Sequence, residues 1–351
     1  MKAEQYYRRN SSVELLRILS MMGVIFLHYQ NATIGGAIAI AAKGSVNYEV
    51  ILCLKTFALC AVNIFVLITG YYSFDRQTIS WKKVLELIVQ TIVISDAMYV
   101  LSVFLKISPF RLKELLLNSL PTNWFVILYL TLYICSTYLN RICAEMKEKQ
   151  SARFLLMAFL LFSVWPNVVD ILQEVFGREF RGLSSIGIEG SQNGYTIVNF
   201  GLLYLIGSFL GRYQIPDRLK NSNLILCFLV SAGTIFAWQH INTRTATEYC
   251  NPVLILESCV IFCIFARMLF YHRIINSLAK ASFTVYLTHI VLLRRAQIDR
   301  FAKGDTLIFL VHILCTVVII YAIGYGVWVI WNQVWNALYD LISGKIKREK
   351  Q

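Results

Sequence analysis

Charged side chains make up only 15% of the 351 residues, while 57% are hydrophobic. A typical soluble domain carries about 25% charged residues, so this deficit excludes an ordinary soluble globule. Thiol chemistry is thin too. The nine cysteines include no C-x-x-C pair, and Cys60, Cys135, Cys227, Cys259, Cys263 and Cys315 fall inside apolar segments. They read as small buried hydrophobes rather than as a disulfide framework or a thiolate metal site; Cys250 falls in a predicted outside loop with no evident mate. The five histidines are far apart, with neither H-x-x-x-H nor H-E-x-x-H spacing, and no glycine-rich phosphate loop occurs. No metal and no bound prosthetic group is expected. With no low-complexity linker, internal repeat or appended soluble domain, residues 1–351 read as one transmembrane domain ending in a basic cytoplasmic tail at about 340–351.

Basic residues, by contrast, are in excess: 33 Lys and Arg against 20 Asp and Glu leave a net charge of +13. Because they are scattered between apolar runs, they read as topology signals and not as a nucleic-acid surface. A run of about eighteen apolar residues suffices to cross roughly 30 Å of hydrocarbon. About ten such spans can be drawn, near 12–33, 49–71, 83–105, 121–140, 152–170, 195–212, 222–240, 252–271, 277–294 and 306–336. The fold class is therefore an all-α, polytopic membrane helix bundle with lipids as its surroundings. If the N-terminus is cytoplasmic, that side gathers about 20 Lys and Arg and the other side about 12, which predicts both termini in the cytoplasm. The outside group Arg294, Arg295, Arg300 and Lys303 runs against this bias. Lys2, Arg8 and Arg9 followed by an apolar run mimic a signal peptide, but a signal core needs no buried charge, so the first span is read as an uncleaved anchor. The longest outward connection, about 171–194, contains Glu174, Arg178, Glu179, Arg181 and Glu189; it either holds a hydrophilic molecule outside the membrane or is a solvated loop.

The first span itself, from Glu14 to His28, carries an acid, a guanidinium and an imidazole. Each charged group at membrane depth costs about 2.5–3.5 kcal/mol on insertion scales, which makes it a functional candidate. At about 100° per residue, the step from Arg17 to His28 ends roughly 20° past three full turns, with the two about 16 Å apart along the axis. Glu14 sits one turn below Arg17 on nearly the same stripe. A cation near one surface and a titratable base deep inside thus share one helix face, the arrangement of a catalytic seam; a polar cluster that merely staples the helix is the alternative. In the second span Asn63 is a polar group at depth, able to bond a neighbouring helix or to position a reactant. The fourth opens with Pro121 at its first turn and Trp124 and Phe125 at its boundary, followed by Tyr129, Tyr133 and Tyr138. Glu86, Asp96, Glu257, His289 and His312 are further ionisable residues inside spans; His289 lies among Ser282, Tyr286 and Thr288, whereas His312 has apolar neighbours and reads as structural.

Together these stretches resemble the membrane-bound acyltransferase-3 family, over about residues 9–336. An acidic residue, Leu-Arg, ten residues and a histidine are matched by Glu14, Leu16, Arg17 and His28. The family's Gly-Val-Asp-x-Phe-Phe-x-x-Ser-Gly signature resembles the stretch from Ala61 to Gly70, with Ala61, Asn63 and Thr69 as departures. An amide at Asn63 can hydrogen-bond but cannot act as a base. Trp124 and Phe125 match the family's Trp-Phe, and Tyr286, Leu287, Thr288 and His289 its late Tyr-Leu-x-His. The resemblance implies a transferase in the bacterial cytoplasmic membrane that moves an acyl group, usually acetyl, from cytoplasmic acyl-CoA to a surface glycan or lipid-linked saccharide. It also implies that the first-span arginine and histidine are essential. Acetyl-CoA is then a co-substrate and not a resident cofactor.

Acyl transfer from a thioester to a hydroxyl needs a general base, donors for the oxyanion and exclusion of water. His28 is the expected base or transient acyl carrier. Arg17 is expected to grip a coenzyme A phosphate through its planar fork, oriented by Glu14, while Asn63, Trp124, Tyr286 and His289 are expected around the substrates. The competing function is a polysaccharide or lipid-linked sugar exporter, in which Asp96, Glu257 and His289 would line a proton or substrate path.

Overall fold

The computed structural model describes residues 10–121 and 123–342. The predicted basic tail with Lys345, Lys347, Arg348 and Lys350, and the leading Lys2, Arg8 and Arg9, lie outside the described residues. Among the described residues all regular structure is helical and no strand occurs. The long helices are α1 Ser11–Gln30, α2 Val46–Ser73, α3 Trp81–Phe104, α4 Trp124–Ala144, α5 Glu148–Phe176, α6 Ile197–Arg212, α7 Asn221–Ile241, α8 Pro252–Arg267, α9 Ser282–Leu293 and α10 Thr306–Ile342. Each coincides with a predicted span. Seven of them, α1 to α5, α7 and α10, are long and apolar enough to cross a membrane. The other three are shorter, at 16, 16 and 12 residues for α6, α8 and α9.

Two spans are interrupted, each for a local reason. The predicted span 277–294 is a broken helix: Arg273–Leu278 leads into a 3-10 turn, Ala279–Ala281, before α9 begins. Non-helical backbone at membrane depth is tolerated where it lines a cavity, and Ala279 and Lys280 do so. In α5 a π-helical turn, Leu160–Val164, precedes Pro166. Proline has no N–H for the carbonyl four residues back and its ring crowds that carbonyl; the wider turn relieves both. Ser163 in this turn donates to the Cys250 carbonyl at 2.7 Å, tying α5 to the loop before α8. One expectation is corrected here. Pro121 precedes α4 instead of forming its first turn, because Asn123 Oδ1 takes the cap position by accepting from the backbone N–H groups of Phe125 and Val126 at 3.1 and 3.3 Å.

The bundle is built around α2, whose apolar window is 78% buried against 28% for α7. It packs between α1 and α6. Without a hydrophobic driving force inside lipid, helices associate through close packing of small residues. At the α2–α6 crossing a Cβ on Gly207 would overlap the Leu67 carbonyl oxygen, and one on Gly70 would overlap that of Tyr204. Gly201 on the same α6 has open space instead. Gly207→Ala is therefore expected to lower the melting temperature of the detergent-solubilised protein, with an overpacking cost of about 1–3 kcal/mol. Gly201→Ala should be neutral or stabilising by up to about 1 kcal/mol through helix propensity. Equal melting curves for the two variants would remove the close crossing from the account.

Helix α1 is held at both ends, which fixes its rotation and so the direction of its polar stripe. At its start the Ser11 N–H donates to the Phe270 carbonyl at 3.0 Å, Ser11 Oγ donates to Asn276 Oδ1 at 2.8 Å, and the His272 N–H donates to Ser11 Oγ at 2.7 Å. At its end Tyr29 OH lies 2.8 Å from His312 Nδ1, and His312 Nε2 lies 2.9 Å from the Ala296 carbonyl. A carbonyl only accepts, so Nε2 carries the proton and Tyr29 donates. The neighbours of His312 are thus not apolar alone: it pins α10 to α1 and to the loop after α9, with the Phe301 ring stacked on it at 3.9 Å.

Candidate active site

A cavity of about 450 Å³ runs beside α1 and brings together Arg17, His28, Trp124 and Tyr286 from α1, α4 and α9. Its end near the start of α1 is basic: Arg17, Lys83 and Lys280 line it, with Glu86 as the accompanying acid. Its other end is aromatic, with Trp124, Phe125, Tyr195, Tyr249 and Tyr286. His28 lies on its wall between these ends, at the far end of the α1 stripe.

The protonation of His28 follows from its partners. His289 Nδ1 lies 2.6 Å from the Tyr286 carbonyl, so that nitrogen carries a proton. His28 Nδ1 lies 2.9 Å from the Val24 carbonyl and carries one for the same reason. His289 Nε2, left with its lone pair, sits 3.0 Å from His28 Nδ1 and accepts from it. The chain of donors ends at His28 Nε2, which keeps a lone pair. His289 is fully buried and does not line the cavity; it backs His28 and fixes which of its nitrogens keeps the lone pair. The two rings are 4.7 Å apart.

Arg17 Nε lies 3.3 Å from Glu14 Oε2, and the Arg17 side chain remains 27% exposed, toward the cavity, whereas that of Glu14 is 7% exposed. Glu14 does not line the cavity and meets it through Arg17. Asn63 is buried off the wall as well: its Nδ2 donates to the Tyr249 carbonyl at 2.9 Å. It thereby holds a loop residue whose ring forms the aromatic end. Tyr286 OH donates to Asn123 Oδ1 at 2.8 Å, so the cap of α4 also locks α9. Trp124 and Tyr195 pack with ring centroids 4.4 Å apart, Tyr195 and Tyr249 at 5.3 Å, and Phe125 and Tyr286 at 5.2 Å.

Two of the aromatic residues, Tyr195 and Tyr249, stand on loops, and a buried polar network holds these. Asp170 Oδ2 accepts from the Ser191 N–H at 2.7 Å, and Asn167 Nδ2 donates to Glu248 Oε2 at 2.8 Å. Burial and the neighbouring Asp170 charge push the Glu248 carboxyl up to about 8. The long connection does not close over His28 as a whole. Its residues Glu179, Arg181 and Glu189 line a separate polar cavity of about 200 Å³ with Asp170 and Arg244, and Tyr195, just past it, joins the main cavity. Asp96 and Glu257 line neither. Asp96 Oδ2 accepts from Ser119 Oγ at 3.0 Å, and Glu257 is buried in α8. Sequence reasoning missed Lys83, Lys280, Tyr195 and Tyr249. They lie far apart in the chain, and no local pattern joins them.

A multi-pass helical membrane protein with a basic-to-aromatic cavity and an imidazole pair beside it, one on the wall and one buried behind, is the class these features define. The family described as acyltransferase domain matches residues 10–329, nearly the whole bundle, and the chain belongs to this acyltransferase-3 family of membrane acyltransferases. No curated protein matches the chain, and no solved structure does.

Proposed function

We propose that this acyltransferase moves an acyl group, acetyl foremost, from cytoplasmic acyl-CoA to a hydroxyl of a cell-surface or exopolysaccharide glycan, at a site in the bacterial cytoplasmic membrane. The observation that carries the reading is the single cavity that joins three cationic side chains at one end to an aromatic platform at the other, with an imidazole lone pair on the wall between them. Guanidinium and ammonium groups suit the phosphates of coenzyme A. About 16 Å of helix separates Arg17 from His28, of the order of the reach of a pantetheine arm. The platform suits a pyranose, whose C–H faces stack on aromatic rings while its hydroxyls reach toward His28.

In the proposed reaction His28 Nε2 takes the proton of the acceptor hydroxyl as its oxygen attacks the thioester carbon. The tetrahedral intermediate collapses with loss of the thiolate, and the proton passes from His28 to sulfur. His289 accepts from His28 Nδ1–H and steadies the imidazolium while it exists. Because both ends open onto one cavity, donor and acceptor meet at one imidazole, which supports direct transfer over a stored acyl-imidazole. Glu14 orients Arg17, and Asn63 holds the platform through Tyr249.

Donor consumption is the test. Purified protein in nanodiscs is expected to release free coenzyme A from acetyl-CoA in proportion to added glycan, with a 42-dalton gain in the glycan by mass spectrometry. Glycan transport across sealed vesicles without thioester loss would instead favour an exporter and overturn the transferase assignment of substrates.

A further inference from the structure

A second cavity, of about 480 Å³, lies between α3 and the far end of α9, away from the basic end that holds Arg17. Its wall carries two guanidinium groups, Arg111 and Arg294, and one carboxylate, Glu114. Among the described residues none of the three makes an ion pair. The site is built and not merely a loop crevice. Tyr99 OH accepts from the Arg111 N–H at 2.8 Å and lies 3.1 Å from the Arg111 carbonyl oxygen, while Ser119 Oγ donates to Asp96. The short helix Leu112–Asn118 is thus stapled to α3 at both of its ends.

That short helix buries none of its residues, and Phe110, Leu112, Leu116 and Leu120 are each more than half exposed. Apolar side chains presented outward beside cationic ones are the pattern of a segment seated at the boundary of headgroups and acyl chains. Here the exposed leucines would meet acyl chains, and the two forks would meet whatever anion sits at the same depth. Arg294 also belongs to the basic group that runs against the charge bias of the other loops. A ligand held there would account for that excess.

We propose that this cavity binds the phosphate of a membrane amphiphile, with Arg111 and Arg294 gripping the phosphate oxygens and the exposed leucines of the short helix lying along its chains. Two planar forks on the wall of one cavity recognise a tetrahedral anion better than two point charges do. Glu114 is left to accept from the hydroxyl or amine groups of the headgroup. Arg294 lies about 7.5 Å along α9 from His289, so the ligand borders the helix that backs the catalytic imidazole. The phosphate belongs either to a phospholipid or to a lipid-linked saccharide precursor.

Native mass spectrometry of the full chain, released from detergent after incubation with defined lipids, tests this. Phosphatidylglycerol and a polyprenyl phosphate are the probes, and diacylglycerol, with chains but no phosphate, is the control. Retention of one or both phosphates over diacylglycerol is expected, falling by roughly tenfold in Arg111→Gln/Arg294→Gln. Arg300→Gln, in the same region but outside the cavity, should retain them as the parent does. Preference for phosphatidylglycerol assigns the site to bulk lipid; preference for the polyprenyl phosphate assigns it to a lipid-linked saccharide. Equal retention of diacylglycerol, or retention unchanged in the double variant, would overturn the proposal.

Discussion

Replacing His28 with alanine is expected to lower kcat for acyl transfer by about 10²–10⁴-fold, the usual contribution of a positioned general base, while the protein still inserts and melts as the parent does. The expectation rests on the Nδ1–H assignment that leaves Nε2 as the basic atom on the cavity wall. His28 is a wall residue and not a core one, so truncation adds space to an existing cavity and removes little packing. His289→Leu separates positioning from packing. It keeps the buried volume but removes the acceptor 3.0 Å from His28 Nδ1, so kcat should fall by roughly 10-fold or more with the KM for acyl-CoA unchanged. A merely structural His289 would lower the amount of folded enzyme and leave the kcat of the folded fraction intact. Unchanged transfer in His28→Ala, measured as acylated glycan per folded enzyme, would take this imidazole out of the chemistry.

Arg17→Gln is expected to raise the KM for acyl-CoA by about 10- to 100-fold with a smaller change in kcat. A hydrogen bond to a charged group is worth about 1.5–3 kcal/mol, and one used alike in ground and transition states appears in KM. Arg17→Lys should fall between, because an ammonium keeps the charge and loses the fork. Arg17→Gln carries a second cost, since the Glu14 side chain is only 7% exposed and loses the guanidinium beside it. Taking one partner from a fully buried pair destabilises by about 3–5 kcal/mol, and the cost here is smaller because Arg17 is 27% exposed. Glu14→Gln/Arg17→Gln should therefore recover melting temperature over Arg17→Gln without recovering KM. If KM recovers too, Arg17 acts through the fold and not through the donor. Initial rates across acyl-CoA concentrations, paired with melting curves, separate the two.

The helical architecture and the first half of the site were legible in the sequence because both depend on local periodicity. A 3.6-residue repeat puts Arg17 and His28 on one stripe whatever surrounds them, and apolar run length sets where helices stand in lipid. The start of α4 slipped because a capping side chain, Asn123, decided it, and the π-helical turn before Pro166 lies inside its span, where the apolar pattern does not mark it. His289 and Asn63 were legible as polar groups at depth but not as residues behind the wall. Which side of a helix meets a cavity depends on its rotation against neighbours, and no pattern within one helix reports that.

The order of apolar and polar residues by itself determined a membrane bundle, its spans, and a guanidinium and imidazole aligned along α1. Only tertiary structure decided that His289 abuts His28, that Lys83 and Lys280 join Arg17 at one end of the cavity, and that Tyr195 and Tyr249 close the other. These groups come from helices and loops far apart in the chain. Their meeting is set by close helix crossings such as Gly70 and Gly207, where packing between segments, not the pattern within any of them, fixes the geometry.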